Sequence, residues 1–133
     1  MLKADPNIAG VFIESIQGEG GIIIPEDGYL KKVRDLCTKY NVLMVSDEIQ
    51  TGFGRTGHLM AVDHEKVRPD ILVMGKSISG GMLPVSGCVA DEFIMKHIGP
   101  GDHGCTYGGN PLAMATAQAA VECLIDEGMI ENS

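Results

Sequence analysis

The chain has little positive charge and no long apolar run. Ten Lys and Arg residues face 18 Asp and Glu residues among 133, which gives a formal net charge of −8. Nucleic acids and anionic membranes repel such a surface, so we expect small-molecule partners, no nucleic acid and no membrane. No apolar run approaches the roughly 18 residues of a transmembrane helix, and residues 1–6 are too short and too acidic for a signal or transit peptide. We therefore expect a soluble chain without a targeting segment.

The cysteines and histidines show no metal-binding spacing. The eight residues are Cys37, Cys88, Cys105, Cys123, His58, His64, His97 and His103. Without a Cys-x-x-Cys pair the sequence indicates neither a disulfide framework nor a zinc site, and a reducing compartment fits this usage. There is also no His-Glu-x-x-His motif and no Gly-x-Ser-x-Gly elbow, so metal catalysis and serine hydrolysis are both disfavoured.

Apolar runs alternate with helical stripes along the chain. The predicted strands are 11–16, 42–46, 70–76 and 84–90, and the predicted helices are 25–40, 59–66, 91–97 (capped by Asp91) and 111–127 (capped by Asn110). The continuous apolar run 42–46 is typical of a parallel strand covered on both faces. The pattern predicts an α/β fold in which a mainly parallel sheet is flanked by helices, without an internal domain boundary.

Two polar residues follow two of these predicted strands. Asp47 ends the run 42–46, and Lys76 lies where the next strand enters a Ser/Gly turn. Ligands in open α/β sheets bind outside the carboxyl ends of the strands, so both side chains are expected at one edge. A Lys there can form an imine with an aldehyde cofactor, and a carboxylate can keep the cofactor's ring nitrogen protonated. The pair therefore suggests pyridoxal 5'-phosphate (PLP) chemistry.

The neighbouring residues extend this interpretation. We expect Lys76 to be buried beside the sheet, because desolvation favours the neutral amine that attacks an aldehyde. Strand alternation directs the side chain of Ile49 to roughly the same side as that of Asp47, so Ile49 could pack on a face of the cofactor ring. Gln50 could donate a hydrogen bond to the ring oxygen. Taken singly, however, an Asp at a strand end is most often a turn former or helix cap, and a Lys after a strand is usually solvated.

Four ordered motifs carry a resemblance to a known family. They read IESIQGEGG at 13–21, DEIQTGFGRTG at 47–57, GKSISGG at 75–81 and TYGGNP at 106–111. Together they closely resemble class III aminotransferases of fold type I, over essentially all 133 residues. Within this class, residues 103–112, with 68–71 and 94–101, look most like the ornithine aminotransferases.

The resemblance implies roles for the residues that hold the cofactor. Lys76 corresponds to the Lys that forms the imine and then moves the proton between Cα and the cofactor. Asp47 corresponds to the partner of the ring nitrogen, Gln50 to the contact with the ring oxygen, and Ile49 to the residue packed on one ring face. Thr106 corresponds to a Thr that binds the cofactor phosphate of the neighbouring subunit, which implies a homodimer with shared active sites.

The resemblance also implies a reaction. Glu19 corresponds to a Glu that pairs with an Arg and moves with it between two half reactions on amino-acid and 2-oxo-acid substrates. The implied transfer moves the δ-amino group of L-ornithine to 2-oxoglutarate, giving glutamate semialdehyde and glutamate. The resemblance also implies that the protein is located in the cytoplasm or in the mitochondrial matrix. Two residues depart from the pattern, with Ser15 in place of the usual Pro and Cys105 in place of the usual Ser.

The length sets a further expectation. Family members have several hundred residues, so residues 1–133 are expected to form the central part of the large, cofactor-binding domain. The preceding segment, with the main phosphate loop and a stacking aromatic, and the following small domain, with the Arg partner of Glu19, are then absent. We expect this chain alone to be inactive or very weakly active. Two alternatives stay open: another ω-aminotransferase, acting on acetylornithine or 4-aminobutyrate, and a non-catalytic binding or dimerisation module.

Overall fold

A computed structural model describes all 133 residues, with one four-stranded sheet and helices around it. The strands are β1 (Gly10–Glu14), β2 (Leu43–Asp47), β3 (Ile71–Met74) and β4 (Gly87–Ala90). The α-helices are α1 (Tyr29–Tyr40), α2 (Glu92–Met95) and α3 (Pro111–Asp126), and two 3-10 helices span Ala61–Glu65 and Lys76–Ser79. No helix is both long and apolar enough to cross a membrane.

The strands lie in the order β1-β2-β3-β4, and the first three run parallel. β4 pairs antiparallel with β3, with Met74 opposite Gly87. Residues 75–86 between these two strands contain only a short 3-10 helix before the chain returns. The predicted α/β fold with a mainly parallel sheet is confirmed.

Helix α1 begins four residues later than predicted. Gly28 adopts the left-handed conformation (φ 80°), so the helix starts at Tyr29. The side chain of Glu65 satisfies this end, since Oε1 accepts from the Gly28 amide at 3.0 Å and Oε2 accepts from the Lys31 amide at 2.8 Å. The contact joins α1 to the 3-10 helix Ala61–Glu65.

The core lies between α1 and one face of the sheet. Its buried residues are Leu30, Cys37, Met44, Val62 and Val67. The opposite face of the sheet is more open, since Phe12 on that face is 65% exposed. Along β2, buried and half-buried residues alternate, so the expectation that this strand is covered on both faces is wrong for these 133 residues.

Several local predictions need correction. The predicted helix 59–66 is a 3-10 helix, and the predicted strand 84–90 is reduced to Gly87–Ala90. Asp91 precedes α2 but makes no capping bond, because its carboxylate accepts from Arg68 Nη2 at 2.6 Å. The cap of α3 is confirmed, with Asn110 Oδ1 accepting from the Leu112 amide at 2.9 Å.

Candidate active site

Asp47 is the last residue of β2 and is half-buried. Its Oδ1 accepts a hydrogen bond of 2.9 Å from the Ile49 amide, which closes a tight turn around the end of the strand. The strand register places Asp47 between Glu14 of β1 and Val73 of β3. Its carboxylate therefore belongs to the carboxyl edge of the three parallel strands.

Lys76 lies at the same edge, where it opens the 3-10 helix that follows β3. Its backbone adopts φ 43°, in the left-handed region that costs energy for any residue other than glycine. Such strain is concentrated at functional sites, although it does not identify one by itself. The side chain is exposed, so the expectation of a buried Lys76 is wrong for this chain.

Two open clefts meet at Lys76. One has a volume of about 550 Å³ and includes Phe53, Arg55 and the α3 residue Leu124. The other, of about 470 Å³, includes Ser86, Cys105 and Tyr107. An amine between two clefts can be reached by a ligand from either side.

Ile49 packs on the backbone just before Lys76. A Cβ built on Gly75 would lie 3.4 Å from both Cγ1 and Cγ2 of Ile49. Glycine therefore lets the β3 turn approach the β2 turn closely. Ile49 therefore lies against the residue that precedes Lys76, two positions after Asp47.

Gln50 and Glu19 lie together, although the family resemblance implies separate roles for them. Gln50 Nε2 donates to Glu19 Oε1 at 3.3 Å. Gly18 makes room for this contact, because a Cβ at that position would lie only 2.6 Å from Gln50 Oε1. The loop after β1 and the turn after β2 therefore share one polar contact.

Thr106 lies in the exposed loop before α3. Its neighbours Cys105 and Tyr107 line the 470 Å³ cleft with Lys76, whereas Thr106 does not. The structure thus joins Asp47 to Ile49, places Ile49 against Gly75 next to Lys76, and separately joins Gln50 to Glu19, while Thr106 lines neither cleft at Lys76.

Sequence reasoning missed Glu48. Its side chain is fully buried, and its carboxylate accepts from the Ser15 and Thr51 hydroxyls and from the Ala61 and Val62 amides. Strand alternation could have indicated this, because it directs Glu48 inward, on the side opposite to Asp47.

Comparison with known proteins gives a consistent family match. The family described as Aminotransferase class-III matches residues 1–133. A mitochondrial ornithine aminotransferase of Drosophila melanogaster is 57% identical over 129 residues, which are 97% of this chain and 30% of the relative. The chain thus spans about 30% of the length of the curated relatives that it matches.

Solved structures share the fold. An ornithine aminotransferase from Toxoplasma gondii, crystallized with oxidized glutathione and showing partial occupancy of PLP at its active site, is 52% identical with a TM-score of 0.95. It is matched over 98% of this chain and 30% of its own. The acetylornithine aminotransferase of Elizabethkingia anophelis is also 52% identical, with a TM-score of 0.95 over 98% of this chain and 33% of its own. The chain belongs to the class-III aminotransferase family.

Proposed function

We propose that residues 1–133 form the central part of the large domain of a PLP-dependent aminotransferase whose full-length form acts as an ornithine 5-aminotransferase. The observation that carries the proposal is the position of Asp47 and Lys76 at the carboxyl ends of adjacent parallel strands, with Ile49 against the Gly75 that precedes Lys76. The 57% identity to an ornithine aminotransferase supports the choice of substrates, L-ornithine and 2-oxoglutarate. The N-terminal segment and the C-terminal small domain lie outside this chain.

The residues at the edge fit a protonated pyridine ring with an aldehyde. PLP, when bound, supplies an electron sink for the pair of electrons left when a substrate proton departs. The half-buried carboxylate of Asp47 would hold the ring nitrogen protonated, since an anion beside it favours the charged form. The Ile49 amide already fixes Oδ1, which restricts the rotation of this carboxylate.

Lys76 would bind the cofactor covalently and then act as the base and acid at the substrate carbon. Its exposed Nζ lies where two clefts meet, so a substrate could approach it without displacing the sheet. Ile49 would support one face of the ring, and Gln50 Nε2 would donate to the ring oxygen. In this structure Nε2 donates to Glu19, so cofactor binding would exchange one acceptor for another.

Two further roles complete the proposal. Thr106 would bind the phosphate of the cofactor in a neighbouring subunit, which fits its exposed position and requires a homodimer with shared sites. Glu19 would gate the substrates by pairing with an Arg outside this chain. The name of the Drosophila relative supports the mitochondrial matrix as compartment, with the cytoplasm as alternative.

A second candidate is another ω-aminotransferase. The acetylornithine aminotransferase of E. anophelis is as similar to this chain as the T. gondii ornithine enzyme is, so the 133 residues favour neither donor strongly. Competition among ornithine, acetylornithine and 4-aminobutyrate in the full-length protein would separate these substrates. A non-catalytic binding or dimerisation module is the third possibility.

An absorbance titration of the chain with PLP tests the site, followed by borohydride reduction and peptide mapping. We expect a modified peptide that contains Lys76 and disappears in Lys76→Ala. Lys32→Ala, at an exposed lysine of α1, is the matched control and should retain the label. Labels scattered over several lysines, or no label, would mean that these residues alone do not bind the cofactor. The proposal would then have to be tested in the full-length protein.

A further inference from the structure

The carboxylate of Glu48 is buried with four hydrogen-bond donors and no cation. Its side chain is 0% exposed, and it forms no salt bridge. Oε1 accepts from Ser15 Oγ at 3.2 Å and from the Val62 amide at 2.9 Å. Oε2 accepts from the Ala61 amide at 3.1 Å and from the Thr51 hydroxyl. A carboxylate has about four acceptor sites, so this cluster satisfies all of them.

The donors come from three separate segments. Ser15 follows β1, Thr51 lies in the turn after β2, and Ala61 and Val62 open the 3-10 helix. The backbone of Glu48 is held as well, since its amide donates to the Val73 carbonyl at 2.9 Å. The cluster therefore connects the end of β2 to β1, to β3 and to the chain beyond the turn.

Gly52 shows how tightly this turn is closed. Its amide donates to the Glu48 carbonyl at 2.9 Å, and a Cβ built there would lie 2.8 Å from that oxygen. Real Cβ atoms essentially never approach an oxygen so closely, so the turn accepts only glycine without rearrangement. Both the backbone and the side chain of Glu48 are thus fixed.

We propose that Glu48 is a positioning residue for Asp47. The two side chains leave the strand on opposite sides, so a fixed Glu48 determines the direction in which Asp47 points. The bond from the Ile49 amide to Asp47 Oδ1 depends on the peptide between Glu48 and Ile49, which this cluster holds. The inference rests on the proposed function, because it assigns Asp47 to the ring nitrogen.

A glutamine cannot replace Glu48 in this environment. Each carboxylate oxygen accepts from one backbone amide, Ala61 or Val62. Either orientation of a glutamine amide would therefore place its NH₂ group against an N–H donor, which cannot accept. Glu48→Gln keeps the volume and breaks the cluster. Thr51→Val is the milder variant, because it removes one hydroxyl and keeps the shape.

The test has two readouts, the first without cofactor. Residue-resolved amide hydrogen exchange at Ile49 reports on its bond to Asp47, and exchange at Met44, whose amide donates to Asp70 Oδ2 at 2.7 Å, reports on global unfolding. In Thr51→Val we expect the ratio of the exchange rate at Ile49 to the exchange rate at Met44 to be roughly tenfold higher than in wild type. Glu92→Gln, at an exposed Glu of α2, is the matched control and should change neither amide.

The second readout is the pH midpoint of the absorbance of bound PLP. We expect Thr51→Val to shift this midpoint in the direction of Asp47→Asn, and to cause no further shift in the Asp47→Asn background. The positioning role would be overturned if Thr51→Val shifted the pH midpoint equally in the wild-type and Asp47→Asn backgrounds. Unchanged exchange at Ile49 in a folded variant would overturn it as well. Faster exchange at Ile49 in a chain that binds no PLP would support the positioning of Asp47 while the proposed function fails. If Glu48→Gln does not fold, the results for Thr51→Val decide whether Glu48 positions Asp47.

Discussion

The two sides of the candidate site are built differently. The β2 side, residues 43–52, is held by buried side chains, a glycine that cannot be replaced freely and the hydrogen bonds of Glu48. The Lys76 side, which comprises Lys76 and residues 80–86 and 99–109, is mostly exposed. Here the chain makes mainly local turns. The carboxylate half of the proposed site is thus held by buried contacts, whereas the proposed amine half is mostly exposed.

The largest difference is expected for a methionine on each side. Met44 is completely buried, whereas Met82 is 79% exposed. Met44→Ala should lower the free energy of unfolding by about 2–5 kcal/mol, because it removes core contacts and leaves a cavity. Met82→Ala should change it by less than about 0.5 kcal/mol. Urea unfolding followed by far-UV circular dichroism measures both, and similar losses would remove the contrast between the two sides.

A pair of glycines gives the next largest difference. Gly52→Ala forces a methyl group against the Glu48 carbonyl, so we expect a loss of about 1–3 kcal/mol of stability. Gly104→Ala meets nothing within 4 Å and should be neutral within about 0.5 kcal/mol. Equilibrium unfolding in urea tests the pair. A stable Gly52→Ala would show that the β2 turn can open without cost.

Sequence patterns predicted the β2 side better than the Lys76 side for a physical reason. A continuous apolar run that stops at Asp47 is a local signal, and it located the strand and its polar end. Burial of Lys76 depends on what covers the turn after β3, and no pattern within residues 71–81 contains that information. The direction of β4 likewise depends on pairing with β3, which is not local.

Glu48 illustrates a different limit. Asp47 and Glu48 are adjacent in sequence, so the pair indicates one polar strand end. Only the alternation of the strand separates an outward carboxylate from an inward one, and only the fold brings Ser15 and Ala61 to the inward side. The sequence predicted the residues of the proposed chemistry. It did not predict the cluster that holds them.

The smallest effect is expected for the cysteines. Cys37 is completely buried, and burial raises its pKa above the ordinary value of 9.0, with Arg34 lowering it and Asp70 raising it to smaller extents. The unfolded chain therefore loses this proton at lower pH than the folded chain does. The corresponding stability is fully present below pH 9 and is lost as the pH rises through the folded-state pKa.

Unfolding in urea at pH 8 and at pH 10 measures this dependence. We expect Cys37→Ala to lose less stability between the two pH values than wild type, and Cys105→Ala, at an exposed position on the Lys76 side, to behave like wild type. Part of the loss of stability between pH 8 and pH 10 should remain in Cys37→Ala, because a hydrogen bond with Glu127 also raises the pKa of Cys123. If Cys37→Ala loses as much stability between pH 8 and pH 10 as wild type does, the prediction is wrong. It would mean that the core around Cys37 opens to solvent as readily as the exposed loops do.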